Sequence, residues 1–343
     1  MTAAADDASD VDIDIDRLRA WLRDAVDPTV SAVRVSRLAG GNSSGAWRLD
    51  VTATGGDRAL VLKAPSDAGL VFACDASREG RILDAARRAG APVPAIVAID
   101  DTGQACGVPC FVMELVEGRA VPDSTPASIH GEGWFRTAEP IEQRAVWESF
   151  VDALASLHTV DVTLDDARYG PNGMTDVLDY WRRSLLDAVP AKLVPRQLQI
   201  LDWLANNLPT TADEAPALCM GDARPGNAIV AGTDVRALLD FEVAYIGNPA
   251  ADIGYCVFSD AITRRLSDQP ATGIPPVEHT WARWSAATGR SIAERNYWTA
   301  FGATIMCVTG TRAMLKWGMP IESVDSDNLV VPEWEALVDR AAG

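Results

Sequence analysis

The stretch Leu218-Cys219-Met220-Gly221-Asp222-Ala223-Arg224-Pro225-Gly226-Asn227-Ala228-Ile229-Val230, continued by Val235-Arg236-Ala237-Leu238-Leu239-Asp240-Phe241-Glu242, alternates short apolar runs with single polar groups. Asn227 follows Asp222 by five residues, and Asp240 follows Asn227 by thirteen. Each polar group stands at the end of an apolar segment or in the turn beside it. A hairpin over this stretch would bring three oxygen-bearing side chains to one rim. Such a set can supply a base that orients a hydroxyl, together with oxygen ligands for a hard cation. Taken singly, Asp, Asn, Pro and Gly are ordinary turn formers. Their joint spacing carries the reading.

Working outward toward the N-terminus, Val33–Leu38 alternates apolar and polar residues, the turn Gly40–Gly45 follows, and Ala46–Val51 alternates again. With Arg58–Lys63 this predicts three strands. Ala76–Arg88 carries Ile82, Leu83 and Ala86 on one helical face, and Val93–Ile99 and Cys110–Leu115 read as two further strands. The expected unit is an antiparallel sheet of about five strands with one helix inserted after the third. In the turn, Gly41 lets the backbone approach a ligand closely, and Asn42, Ser43 and Ser44 can add donors for phosphate. No Gly-Lys-Ser/Thr follows, so this is not a Walker loop. Lys63 ends a strand and Glu79 opens the next helix. A strand lysine oriented by a helix glutamate is one way to grip nucleotide phosphates; the alternative is a solvated strand-end lysine.

Val116–Arg119 breaks the pattern and reads as a linker, after which helices dominate. They are expected over residues 143–160, 176–188, 194–208, 250–266, 278–288, 292–314 and 332–342. Asp16–Val26 reads as a short helix behind an acidic tail. The 343 residues thus divide into a tail and short helix (1–29), a nucleotide-binding lobe (30–115) and a larger catalytic and acceptor-binding lobe (116–343). The fold class is α+β and bilobal, with an N-terminal antiparallel sheet lobe and a mainly helical C-terminal lobe.

Composition bounds the function. Hydrophobic residues make up 48% of the chain, enough for a sizeable core, yet no apolar run reaches the length of a membrane span. A formal net charge of −18 repels nucleic acid and anionic membranes. It suits either a solvated surface or a cationic substrate. The six cysteines form no C-x-x-C pair and the three histidines are far apart, so a metal would be held by oxygens, which favours Mg2+. The acidic, polar N-terminus lacks the character of a signal peptide, and a cytoplasmic location is expected.

Together these residues resemble the aminoglycoside phosphotransferase/choline kinase family, whose fold is like that of protein kinases. Its members carry His-Gly-Asp-x-x-x-x-Asn followed by Asp-x-Glu or Asp-x-Gly. Here the motifs read Met220-Gly221-Asp222-Ala223-Arg224-Pro225-Gly226-Asn227 and Asp240-Phe241-Glu242. Gly247-Asn248-Pro249-Ala250-Ala251-Asp252 is similar to the family's following Gly-Asp-Pro-x-x-Asp. The likeness runs from about Leu38 to Trp317.

By position, the resemblance implies Asp222 as catalytic base and Asn227 and Asp240 as Mg2+ ligands. Lys63 would contact phosphate and Glu79 would steady it. Met113–Val116 would be the interlobe hinge, where the backbone of Glu114 and Val116 pairs with adenine. Asp252 would brace the catalytic loop. The implied cofactors are ATP, with GTP as the alternative, and Mg2+. The implied partner is a small-molecule hydroxyl acceptor, with no nucleic acid or membrane; the oligomeric state is left open. Met220 stands where the family has His, which keeps a nucleotide-binding pseudokinase with a regulatory role as an alternative. The tail around Trp281, Trp284 and Trp298 resembles a subgroup related to the kinase-like domains joined to acyl-CoA dehydrogenases, which makes a hydroxyacyl-type acceptor a further alternative. Those tryptophans with Met306 and Met314, and the segment Tyr180–Arg183, are each read as either acceptor-pocket wall or helix packing.

Overall fold

Residues 11–38, 44–65, 72, 75–123, 126–162 and 171–342 are described by a computed structural model of the protein. The chain opens with α1 (Ile15–Ala25), then β1 (Ala32–Arg37), β2 (Ser44–Thr52) and β3 (Arg58–Pro65). Next come α2 (Ala76–Arg88), β4 (Ile96–Asp100) and β5 (Cys110–Glu114). These five strands form one antiparallel sheet in the order β1-β2-β3-β5-β4.

Side chains alternate across a strand, and this sheet uses both faces. Leu60 and Leu62 on β3, Leu49 on β2 and Val112 on β5 pack outward with Leu18, Trp21 and Leu22 of α1. Val61, Phe111 and Met113 face the other way, onto Ile82, Leu83 and Ala86 of α2. Burying each such side chain is worth about 1.5–3 kcal/mol. Lys63 lies two residues beyond Val61, so the same alternation turns it inward toward α2. Asp75 caps that helix, its side chain accepting from the Ser77 and Arg78 amides. Helical spacing from the cap sets Glu79 on the buried face in the first turn.

The expected linker, Val116–Arg119, runs into a short strand, β6 (Arg119–Ala120), and a single helical turn follows as α3 (Trp134–Thr137). The helical lobe continues with α4 (Pro140–Leu157), α5 (Met174–Ala188) and α6 (Pro195–Asn206). Then come β7 (Ala217–Cys219), β8 (Ala228–Ala231), β9 (Asp234–Leu238) and β10 (Tyr245–Gly247). It ends with α7 (Ala250–Arg265), α8 (Val277–Thr288), α9 (Arg295–Lys316) and α10 (Val331–Ala342). Trp147, Trp281, Trp284, Trp334, Phe150 and Phe301 are fully buried. Trp281, Trp284 and Trp298 are therefore core packing, which decides between their two readings.

The stretch Leu218–Val230 is not one hairpin. β7 pairs with β10, whereas β8 pairs with β9 and, on its other edge, with β6. Its two apolar runs belong to separate sheets, and the polar loop between them bridges the two. The Gly40–Gly45 turn gives no geometry to report, because Gly41, Asn42 and Ser43 lie outside the described residues and Ser44 is described only as the backbone start of β2.

Candidate active site

Lys63 Nζ lies 2.7 Å from Glu79 Oε1 and 2.8 Å from Asp240 Oδ1. Glu79 Oε1 also accepts the Phe241 N–H at 2.9 Å. One carboxylate oxygen therefore ties β3 to the chain just past Asp240, and the sheet lobe to the helical lobe. Burial opposes the charge on Lys63, but the carboxylates of Asp240, Glu79 and Glu242 outweigh it and hold the ammonium pKa well above its ordinary value. Burial pushes the Glu79 carboxyl up, against the pull of Lys63. Arg78 fastens the same helix to the turn between Asp240 and β10, donating to the carbonyl oxygens of Glu242 at 2.9 Å and Ala244 at 2.5 Å. Asp240 has a backbone φ of 67°, a left-handed conformation uncommon outside glycine. Such strain persists only where the surroundings impose it; here the Lys63 contact and the Phe241 N–H bond bracket the residue.

The second cluster is the loop after β7. Asp222 accepts from Arg224 Nε at 2.9 Å on Oδ1 and 3.1 Å on Oδ2. It also accepts from Asn227 Nδ2 at 2.9 Å on Oδ2, and the same amide nitrogen reaches the Asp222 carbonyl oxygen at 2.9 Å. The Tyr255 hydroxyl, from α7, donates to Oδ1. Arg224 pairs in addition with Asp123, which accepts from Ser128 Oγ at 2.6 Å. Burial opposes the Arg224 charge, but Asp222 and Asp123 offset that and keep the guanidinium pKa well above its usual value. The two clusters are joined through the backbone: the Leu239 N–H donates to the Asn227 carbonyl oxygen at 2.8 Å.

The loop backbone is held from α7. Asp252 accepts the Met220 N–H at 2.7 Å and the Gly221 N–H at 2.9 Å. Its Oδ2 is also 3.1 Å from His158 Nε2. Trp284 Nε1, which can only donate, meets His158 Nδ1 at 3.0 Å. His158 is thereby fixed as the neutral tautomer with its proton on Nε2, donating to Asp252. Met220, where the resemblance led to an expected His, is fully buried in the core. The brace acts on backbone N–H groups, so the residue type at position 220 does not enter it.

The sequence-derived candidates thus fall into two contact sets, Lys63 with Glu79 and Asp240, and Asp222 with Asn227. The donor set fits a hard divalent cation. Asn227 spends its amide nitrogen on Asp222, which leaves the amide oxygen. Asp240 carries a second carboxylate oxygen beside the one on Lys63. One ammonium faces Glu79, Asp240 and Glu242, an excess of negative charge. Among the described residues no group of three or more His, Cys, Asp or Glu could hold a metal alone. Mg2+ characteristically takes one or two protein ligands and completes its shell with water and phosphate. At the hinge, the Glu114 N–H is already given to the Ala95 carbonyl oxygen at 2.9 Å. Adenine pairing at Glu114 would have to use its carbonyl; Val116 lies half-buried just beyond.

A cavity of about 730 Å³ opens beside the loop, walled by Arg78, Tyr180, Trp181, Arg183, Val243 and Tyr245 among others. Tyr180–Arg183 is therefore a cavity wall, although Arg182 pairs with Asp202 and Arg183 Nε reaches the Asp179 carbonyl oxygen at 3.4 Å. Val243 presses on the loop after β7: a Cβ at Gly221 would lie 2.6 Å from its carbonyl oxygen, and the Gly221 φ of +83° is itself unfavourable for a side chain. Tyr255, Asp123 and His158 were not singled out in the sequence. Tyr255 had one available signal, its place one helical turn after Asp252.

Residues 34–287 match the model of a family described as the phosphotransferase enzyme family. The chain is 29% identical over 262 residues to acyl-CoA dehydrogenase family member 10 of Mus musculus, covering 71% of this chain and 23% of that protein. It is 31% identical over 229 residues to acyl-CoA dehydrogenase family member 11 of Gallus gallus, covering 65% and 28%. The chain thus spans about a quarter of the length of these curated relatives. A candidate aminoglycoside phosphotransferase from Ralstonia eutropha superposes with a TM-score of 0.71 at 23% identity, covering 96% of this chain and 99% of that one. A thermostable mutant of the aminoglycoside phosphotransferase APH(4)-Ia, solved with ADP and hygromycin B, gives 0.57 at 13% identity, covering 95% and 99%. The fold is therefore that of the protein-kinase-like aminoglycoside phosphotransferases. Among the described residues no helix is long and apolar enough to cross a membrane.

Proposed function

The chain belongs to the phosphotransferase enzyme family, and on that premise we propose that it moves the γ-phosphoryl group of ATP to the hydroxyl of a small molecule. One observation carries the reading. Lys63, steadied by Glu79, reaches Asp240 across the lobes, and the same motif is tied through Leu239 and Asn227 to Asp222. In this reading Lys63 is the phosphate grip and Asp222 the base, and that backbone link joins them.

In this mechanism Lys63 contacts the α/β-phosphates and Glu79 keeps its ammonium charged and aimed. Asp240 and Asn227 would hold Mg2+, which when bound offsets phosphate charge. Asp222 accepts a hydrogen bond from the acceptor hydroxyl and takes its proton as the oxygen attacks. Phosphoryl transfer asks for positioning and charge stabilisation more than for covalent chemistry from the protein. Arg224, between Asp222 and Asp123, brings positive charge to the place where the phosphoryl group would pass. The acceptor enters through the cavity beside α5, whose wall at Val243 abuts Gly221.

The names of the curated relatives favour one acceptor class within this reading, a hydroxylated acyl compound. The test is coupled ADP release from Mg-ATP across aminoglycosides, macrolides, choline-like amino alcohols, sugars and hydroxyacyl-CoAs. One class is expected to raise ADP release well above that with ATP alone. ATP binding with no stimulation by any hydroxyl compound would instead support the regulatory pseudokinase.

A further inference from the structure

We propose that Tyr255 is a positioning residue for phosphoryl transfer: its hydroxyl, donating to Asp222 Oδ1, sets the rotation of the carboxylate that receives the acceptor proton. This rests on the reading of Asp222 as base.

Three groups donate to Asp222, and they differ in how firmly they are committed. Asn227 divides one amide nitrogen between the Asp222 side chain and its backbone. Arg224 spans both carboxylate oxygens and also serves Asp123; its side chain is 21% exposed at the cleft, where a phosphate could draw it away. Tyr255 is 4% exposed, and its single hydroxyl proton is spent on Oδ1. Burial pushes the phenol pKa up, and the Asp222 carboxylate pushes it further, so the group remains a donor throughout the neutral range.

The helix that carries Tyr255 is fixed. A Cβ at Gly254 would lie 2.1 Å from the Trp298 carbonyl oxygen, and one at Gly302 would lie 2.3 Å from the Tyr255 nitrogen, so α7 and α9 meet backbone to backbone. On the same face, one turn earlier, Asp252 holds the Met220 and Gly221 N–H groups. α7 therefore grips the loop twice, once by its backbone and once by its reactive side chain. A carboxylate left to rotate about its last bond presents its oxygen to the acceptor only part of the time, and small misplacements cost rate steeply.

Tyr255→Phe removes only the hydroxyl. The probe is ADP release from Mg-ATP with water as acceptor, read beside Asp222→Asn. The expected result is about a tenfold fall in kcat for Tyr255→Phe with KM for ATP unchanged within twofold, and at least a hundredfold fall for Asp222→Asn. A tyrosine acting only as core packing would alter thermal stability without this split. The contact is read independently of turnover by NMR of protein carrying 13Cζ-tyrosine. The chain has five tyrosines, and the resonance missing from Tyr255→Phe is the one that must move in Asp222→Asn. If Asp222→Asn loses turnover while Tyr255→Phe keeps the wild-type kcat, or if the Tyr255 resonance ignores Asp222→Asn, the inference is overturned alone. If Asp222→Asn keeps turnover, the reading of Asp222 as base falls, and the inference with it. Should Tyr255→Phe fail to fold, the tyrosine resonances of Asp222→Asn still decide: one of the five must move.

Discussion

Lys63 is buried with Glu79 beside the partly buried Asp240, and its charge is worth having only because those carboxylates are there. Lys63→Met would leave Glu79 buried with the Phe241 N–H as its remaining partner. Breaking such a pair by removing one member costs about 3–5 kcal/mol, so the unfolding midpoint in urea should fall clearly. The sign with pH follows from the raised lysine pKa. Its contribution is fully present below the unfolded value of 10.5 and is lost only as pH rises through the higher folded value. The wild-type advantage over Lys63→Met should therefore persist across pH 7–10, and urea unfolding at several pH values checks it. This pair was legible in the sequence because Lys63 ends a strand and Glu79 opens the next helix. Tyr255 was not, because its partner is 33 residues away and the helical spacing from Asp252 does not say which group the hydroxyl meets.

At the scale of elements, the apolar runs around Asp222 were readable as strands, but their pairing was not. β7 and β8 look like neighbours in sequence, yet each closes with a strand from further along the chain. Three-residue strands carry too little period to reveal a partner. The single-turn α3 and the two-residue β6 escaped for the same reason. By contrast, α2 was read to its observed ends from its apolar face, and the structure adds the Asp75 cap.

The β4–β5 connection gives a stability test. Asp100 accepts from the Ala105 N–H at 2.6 Å and from the Thr102 N–H at 3.0 Å. Burial works against its charge, but these bonds win and hold the carboxyl below its ordinary value of 3.8. Its stabilisation is present above that value and lost as pH falls through the lower folded one. Asp100→Asn should cost about 1–3 kcal/mol at neutral pH. The gap from wild type should narrow as pH drops below 3.8, measured by thermal unfolding at stepped pH.

The whole molecule is two lobes joined where the nucleotide is proposed to lie. Lys63–Asp240, Arg78 to Glu242 and Ala244, and the Leu238 N–H to the Pro92 carbonyl oxygen all cross between them. A ligand that adds to these crossings should stabilise the fold as one unit. Mg-ATP at a hundred times its Kd is expected to add about 2.7 kcal/mol, read as a rise in Tm that Lys63→Met largely abolishes. The bilobal plan was legible from the switch between periods of two and 3.6 along the chain. The cavity beside α5 was legible only in part: Tyr180–Arg183 stood out, but its arginines gave no sign that Asp202 and the Asp179 backbone would engage them.

The central claim is that Asp222 is the base of a phosphotransferase. ADP release from Mg-ATP by wild type and by Asp222→Asn, each with ATP affinity measured by equilibrium dialysis, tests it most directly. The account predicts at least a hundredfold loss of turnover with affinity unchanged within about threefold, since Asp222 acts on the acceptor and not on the nucleotide. Equal turnover by the two proteins would contradict it.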